Sequence, residues 1–192
     1  MEMSLAEHNE RKAKSYKMLL WFGMVSMFMM FAGLTSAYVV STTRRDWLND
    51  FKLPNAFIIS TVVMVLSSIT FHLAKVAMKK GSRSNTTALL LVTLALGSAF
   101  VVAQFYGFSQ IVENGYYFTG PESTVTTSFL YIVTIMHLAH LFAGILVLLV
   151  VIYNHFKQKY TPAQTLGIEL GAMFWHFLDI LWVYLFLFFY FY

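Results

Sequence analysis

Residues 126–153 read TTSFLYIVTIMHLAHLFAGILVLLVVIY, an unbroken apolar run with no Lys, Arg, Asp or Glu. A helix rises 1.5 Å per residue, so about 20 apolar residues cross a ~30 Å hydrocarbon core. The run is long enough to span a bilayer with margin. Four further stretches pass the same test: Leu19–Ser41, Asn55–Met78, Thr86–Ile111 and Gly167–Tyr192. Their apolar character is continuous rather than alternating, which points away from transmembrane strands. Short polar connections separate them, marked by Pro54, Gly81, Asn114-Gly115, Gly120-Pro121 and Thr161-Pro162. The fold class read from this pattern is an all-α integral membrane protein, a single bundle of five transmembrane helices over residues 19–192, preceded by a polar arm over residues 1–18.

Composition agrees. Of 192 residues, 58% are hydrophobic and 11% charged, with a mean hydropathy of +0.65. So few charges could not cover a soluble domain of this size, and the abundance of apolar surface excludes intrinsic disorder. There is no cysteine, which removes disulfide frameworks, thiolate metal sites, iron–sulfur clusters and thiol catalysis. A net charge of +4 is too small to argue for nucleic acid. The basic residues instead follow topology. Arg11, Lys12, Lys14 and Lys17 in the arm, Lys75, Lys79, Lys80 and Arg83 at the second connection, and Lys157 and Lys159 at the fourth share one side. Arg44, Arg45 and Lys52 take the other. The positive-inside rule then expects a cytoplasmic N-terminus and an outside C-terminus. The charged arm lacks the apolar core of a cleavable signal peptide. Trp21, Trp47, Tyr106, Tyr116, Tyr117, Tyr153 and Tyr160 are the expected headgroup-level rings, and Phe186–Tyr192 reads as a lipid-facing anchor.

Ionisable groups inside a span need a reason, since translocon scales place each at about 2.5–3.5 kcal/mol at the helix centre. The candidates are His137 and His140 on the fourth helix, and Glu169, His176 and Asp179 on the fifth. His72 lies near a helix end and can reach the interface; His155, also at an end, and His8, in the arm, need no explanation. His137 and His140 share a helix face, as do His176 and Asp179. The rise per residue puts His137, His176 and Asp179 at levels agreeing to within about a turn. A polar cluster bridging the fourth and fifth helices is therefore expected. Three readings of it stay open: interhelical hydrogen bonding, proton handling and a metal site, although His-x-x-His is looser than the i, i+4 metalloprotease pair. Asp179→Ala should then weaken assembly by leaving the imidazoles unpartnered. Gln104, deep in the third helix, is expected to make an interhelical hydrogen bond. Gly23, Gly33, Gly97, Gly107, Gly144 and Gly171 are expected to let helices approach closely. Met24, Met27, Met29 and Met30 point around their helix and read as packing residues rather than copper ligands.

Trp175-His176-Phe177-Leu178-Asp179-Ile180-Leu181-Trp182 resembles the Trp-His-Phe-x-Asp-x-x-Trp signature of subunit III of haem–copper terminal oxidases. Glu169 matches that family's Glu at the start of the same helix, and His137-x-x-His140-x-x-x-Gly144 is similar to its His-x-x-His-x-x-x-Gly helix. Leu96-Gly97-x-x-Phe100-x-x-x-Gln104 resembles a further stretch, and Ala37-Tyr38 the end of the first shared helix. The match runs in order from about Trp21 to Tyr190 and corresponds to the short five-helix bacterial form. Two departures stand out. No acidic residue lies midway along the first helix, where the chain reads Met29-Met30-Phe31-Ala32. The Glu that follows the family's Gln is also missing, the run after Gln104 being Phe105-Tyr106-Gly107-Phe108.

The resemblance implies a non-catalytic accessory subunit of a respiratory oxidase that couples oxygen reduction to proton translocation, without an active site, haem, copper or other metal of its own. Haem and copper are then expected in the catalytic subunit I, on which this chain would pack beside the other oxidase subunits in a bacterial cytoplasmic (inner) membrane. It would bind phospholipid and support stability and proton uptake. The alternative, from the residues alone, is a small proton-linked transporter using His137, His140, His176 and Asp179 directly. A five-span chain without an inverted repeat does not favour it.

Overall fold

The computed structural model describes residues 5–45, 47–48, 53–120, 123–162 and 164–191. Expectations placed on Lys52, Pro121 and Tyr192 lie outside them. Five helices follow in order: α1 (Leu5–Val40), α2 (Asn55–Lys79), α3 (Arg83–Glu113), α4 (Val125–Phe156) and α5 (Leu166–Phe191). All five are long and apolar enough to cross a membrane. Among the described residues there is no strand, only the isolated bridges Tyr117–Ser123 and Thr161–Gln164.

The boundaries fall within a few residues of the expected ones except at α1. The polar arm is not a separate segment but the first turns of α1, which starts at Leu5. Nothing in Glu7–Lys17 breaks a helix, and the Ala, Glu, Lys and Arg there are good helix formers. Three helices stop in one way. Gly81 (φ +77°), Gly115 (φ +82°) and Gln158 (φ +57°) take the left-handed conformation. The amide of the residue after each reaches back to the last turn, as in Ser82 N–H to the Ala77 carbonyl at 3.0 Å and Lys159 N–H to that of Asn154 at 3.1 Å. The turn at Gly81 is so short that α2 and α3 form an antiparallel hairpin. α4 begins with a reciprocal cap in which Thr124 and Thr127 satisfy each other's backbone amides.

Around α5 the other elements gather. One side of it meets α2, another α4, and α1 lies across both α4 and α5. The core runs from Met78, Leu90, Val151 and Ile168 at one end, through Phe71, Phe100 and Trp175, to Phe57, Ile111 and Leu130 at the other. A smaller cluster of Phe31, Val133, Leu181 and Leu185 fixes α1 to α4 and α5. Four of the six glycines expected to provide close approaches do so: a Cβ at Gly97 or Gly144 would come within 2.8 Å of Trp175 or 2.7 Å of Leu178. At Gly107 and Gly171 it would meet Phe57 at 2.7 Å and Val151 at 2.9 Å. Gly23 and Gly33 differ from expectation, having nothing within 4 Å among the described residues; Gly33 is exposed on α1 and Gly23 is half-buried.

Two aromatic expectations also change. Tyr160 is buried rather than interfacial. Its hydroxyl lies over Gly167, its carbonyl accepts from Arg83 at 3.1 Å, and burial pushes the phenol pKa up from 10.0. In the aromatic end of α5, Phe188 and Phe189 pack edge-on against Tyr38 at 5.4 and 5.3 Å, leaving Leu187, Tyr190 and Phe191 outward. Trp21, Tyr106 and Tyr153 are exposed. Met24 is buried and Met29 exposed, with Met27 and Met30 in between, so the methionines do point around α1.

Candidate functional site

The polar side chains of the spans converge on α2. Its buried positions Ser60, Met64, Ser67, Phe71, Ala74 and Met78 recur three and four apart, the spacing of one helix face. Alongside them Thr61, Ser68 and Thr70 point to the flanks. Trp175 donates its indole N–H to Ser67 Oγ at 3.1 Å, and Trp182 donates to Thr61 Oγ1 at 3.0 Å. Ser68 Oγ lies 2.6 Å from His176 Nδ1. From α3, Gln104 donates to Ser60 Oγ at 2.9 Å, and Thr93 meets Thr70 at 2.9 Å. Ser60 and Thr61 can accept while giving their own protons to the Phe57 carbonyl one turn back, and Ser67 gives its own to the Thr93 carbonyl of α3 at 3.4 Å.

The signature residues of α5 are thus sorted by face. Trp175, His176, Asp179 and Trp182 turn toward α2, while Leu178 and Gly171 turn toward α4. Trp175 is clamped between Gly97 and Ser67, with Phe71 edge-on at 6.2 Å. Trp182 stacks on Phe57 at 6.2 Å and meets Phe100 edge-on at 5.1 Å. Phe177 is half-buried and packs against both hydrophobic clusters.

His137 is fully buried, surrounded by Trp182 at 5.0 Å, Phe100 at 6.2 Å and Phe31 at 6.4 Å. Neither of its nitrogens, and neither oxygen of Asp179, has a hydrogen-bond partner among the described residues. The expected bridge between α4 and α5 is therefore not formed. α5 lies between α2 and α4, and its His–Asp face looks at α2. Asp179 stands beside Ser68, not beside an imidazole of α4. The reason given for expecting Asp179→Ala to weaken assembly lapses with it. His140 turns to its own helix, where Nδ1 lies 2.7 Å from the Met136 carbonyl, and its ring is 5.7 Å from Phe31. Among the described residues, no three His, Asp or Glu side chains converge where a metal ion could be held.

Glu169 belongs to a different place. Its carboxylate accepts from Lys17 at 2.9 Å and Lys79 at 2.8 Å, and from Thr165 at 3.1 Å. One acidic group thus ties the start of α5 to α1 and to the end of α2. His155 is also more than a helix-end residue: it is buried and lies 2.8 Å from Thr87 Oγ1, joining α4 to α3.

Sequence reasoning missed the hydroxyl partners. Their signal was present as Ser60/Ser67 and Thr61/Ser68, two pairs seven residues apart on one helix.

The sequence matches the family model for cytochrome c oxidase subunit III over residues 2–192. A cytochrome c oxidase subunit 3 of Corynebacterium diphtheriae is 32% identical over 166 residues, covering 83% of this chain and 79% of that protein. A Thermostichus vulcanus protein of the same name is 29% identical over 85% of this chain and 80% of its own length. A cytochrome bo(3) ubiquinol oxidase subunit 3 from Pseudomonas putida is 26% identical over 85% and 79%.

Proposed function

The chain belongs to the cytochrome c oxidase subunit III family, and from that premise we propose that it is the accessory, non-catalytic subunit of a haem–copper oxidase in a bacterial cytoplasmic membrane. The observation that carries the reading is where the signature residues point. Trp175, His176 and Trp182 are engaged with hydroxyls of α2, so they hold the bundle together rather than line a substrate cavity. Haem and copper reside in the catalytic partner. This chain packs on that partner with a surface still rich in large apolar side chains, among them Phe22, Met29, Val102, Phe105, Phe142 and Ile180.

In this reading the chain also binds lipid and supports the stability and proton uptake of the complex. Supporting the lipid part is a groove of about 440 Å³ between α1 and the α4–α5 pair, lined by Leu20, Met27, Val147, Leu170 and Phe174. Tyr16 closes its end, and beyond Tyr16 lies a polar hollow edged by Lys12, Lys17 and Lys159. An acyl chain fits the first and an anionic headgroup the second. Lys12, Lys17 and Lys159 lie at the same end as Lys79 and Glu169, which agrees with that end facing the cytoplasm.

The test is to tag the N-terminal end, extract in mild detergent and record a reduced-minus-oxidised optical spectrum of the purified material. Haem bands with a large membrane partner are expected. A colourless protein that purifies alone and carries a labelled solute across vesicles would sink the accessory-subunit reading in favour of a carrier.

A further inference from the structure

Asp179 is 3% exposed and lies 13 residues into α5, about 20 Å from its basic end. Neither carboxyl oxygen has a hydrogen bond among the described residues. The charged and histidine residues on the elements around it are few. On α2 they are His72, Lys75 and Lys79, all nearer the basic end, and on α5 His176 and Glu169, the latter already tied to Lys17 and Lys79. α4 contributes His137, His140 and, near the basic end, His155. Met18–Val40 of α1 and Ser84–Val112 of α3 contain no charged or histidine residue. Among the described residues a carboxylate at this depth has no cation to neutralise it, and accepting a proton removes the charge.

A route leads to it. Ser68 stands beside Asp179 and lies 2.6 Å from His176 Nδ1. The other nitrogen of His176, Nε2, is buried without a hydrogen bond among the described residues, and the His176 ring is 6.1 Å from that of His72. His72 is exposed on the outer face of α2, three residues before Lys75.

We propose that the seam between α2 and α5 is a proton-accepting site, with Asp179 as the acceptor and His72, His176 and Ser68 as the groups that deliver the proton. A proton taken up by His72 passes to Nε2 of His176. His176 releases one from Nδ1 to Ser68 Oγ, and Ser68 gives its own hydroxyl proton to the Asp179 carboxylate. Each intermediate gains one proton and loses one; His176 changes tautomer and Ser68 reverses its hydroxyl. The site lies wholly within this chain, so it stands or falls independently of which complex the chain joins.

The experiment is infrared spectroscopy of the purified complex transferred from H2O to D2O. A carboxylic-acid C=O stretch that shifts on deuteration is expected, and its loss in Asp179→Asn assigns it. Ser68→Ala should shift the same band, which keeps the assignment possible where Asp179→Asn fails to assemble. His72→Phe, a change on the outer face, should slow the deuteration of the band, as should Ser68→Ala, while Ser68→Thr restores the rate. A buried acid with a purely structural role would exchange at one rate in all of these. That result overturns the route, and a spectrum without such a band overturns Asp179 as the acceptor.

Discussion

At Gly97 the absence of a side chain is what admits Trp175, and Gly33, on the open face of α1, admits nothing. The two positions therefore separate packing from helix propensity. Gly97→Val should destabilise the protein by about 1–3 kcal/mol through overpacking against the indole. Gly33→Ala should be neutral or stabilising by up to about 1 kcal/mol, since Ala is the better helix former. Thermal unfolding in detergent reads both, and equal losses would contradict the assignment of Gly97 to a close contact. Hydrogen bonding gives a second asymmetry. Ser60→Ala strips Gln104 of its partner and leaves a fully buried amide alone, at about 1–3 kcal/mol. Gln104→Leu removes that amide while Ser60 keeps its bond to Phe57, so it should be close to neutral, and adding it to Ser60→Ala should recover most of the loss. A double variant no better than Ser60→Ala would mean that Gln104 finds other partners.

Among the elements, α2 and α5 differ in how legible they were. The five spans could be read because a bilayer sets a minimum apolar length, and charges and turn residues mark where each run ends. The chemistry of α5 stood out because His, Asp and Trp are rare at such depth. Serine and threonine are not rare in membrane helices, and each can satisfy itself on its own backbone, so Ser60, Thr61, Ser67 and Ser68 carried no such mark. Without them, His176 and Asp179 were assigned to the wrong neighbour: a helix in the middle of a bundle has two inward faces, and spacing alone does not say which neighbour each one meets. Glu169 shows the same limit, for its two lysines come from helices 90 and 152 positions away in the chain. Its ion pairs are partly exposed, so Glu169→Gln should cost no more than about 1 kcal/mol per pair lost. The difference in melting temperature from the unaltered protein should shrink as salt is raised. A salt-independent difference would point to packing of α5 instead.

For the molecule as a whole, the outer surface separates into a basic end and an apolar girth, the division that a phospholipid also has. If the hollow beside Tyr16 seats a headgroup, Lys12→Glu combined with Lys159→Glu should lower the anionic phospholipid that copurifies, measured by phosphorus and lipid mass analysis, without altering haem content. Lipid content unchanged in that variant would place the lipid elsewhere. There is also a consequence in time. Ser67 and Thr61 are made early, and the indoles that bond them belong to residues 108 and 121 positions later. A ribosome delivers α2 and α3 to the membrane as a hairpin in which α3 already meets Ser60 and Thr70, while Thr61 and Ser67 lack their indole partners until α5 emerges. Closure of the bundle therefore waits until α5 has been made, and a chain cut short before α5 presents those unfilled positions to the proteases that survey newly inserted membrane proteins.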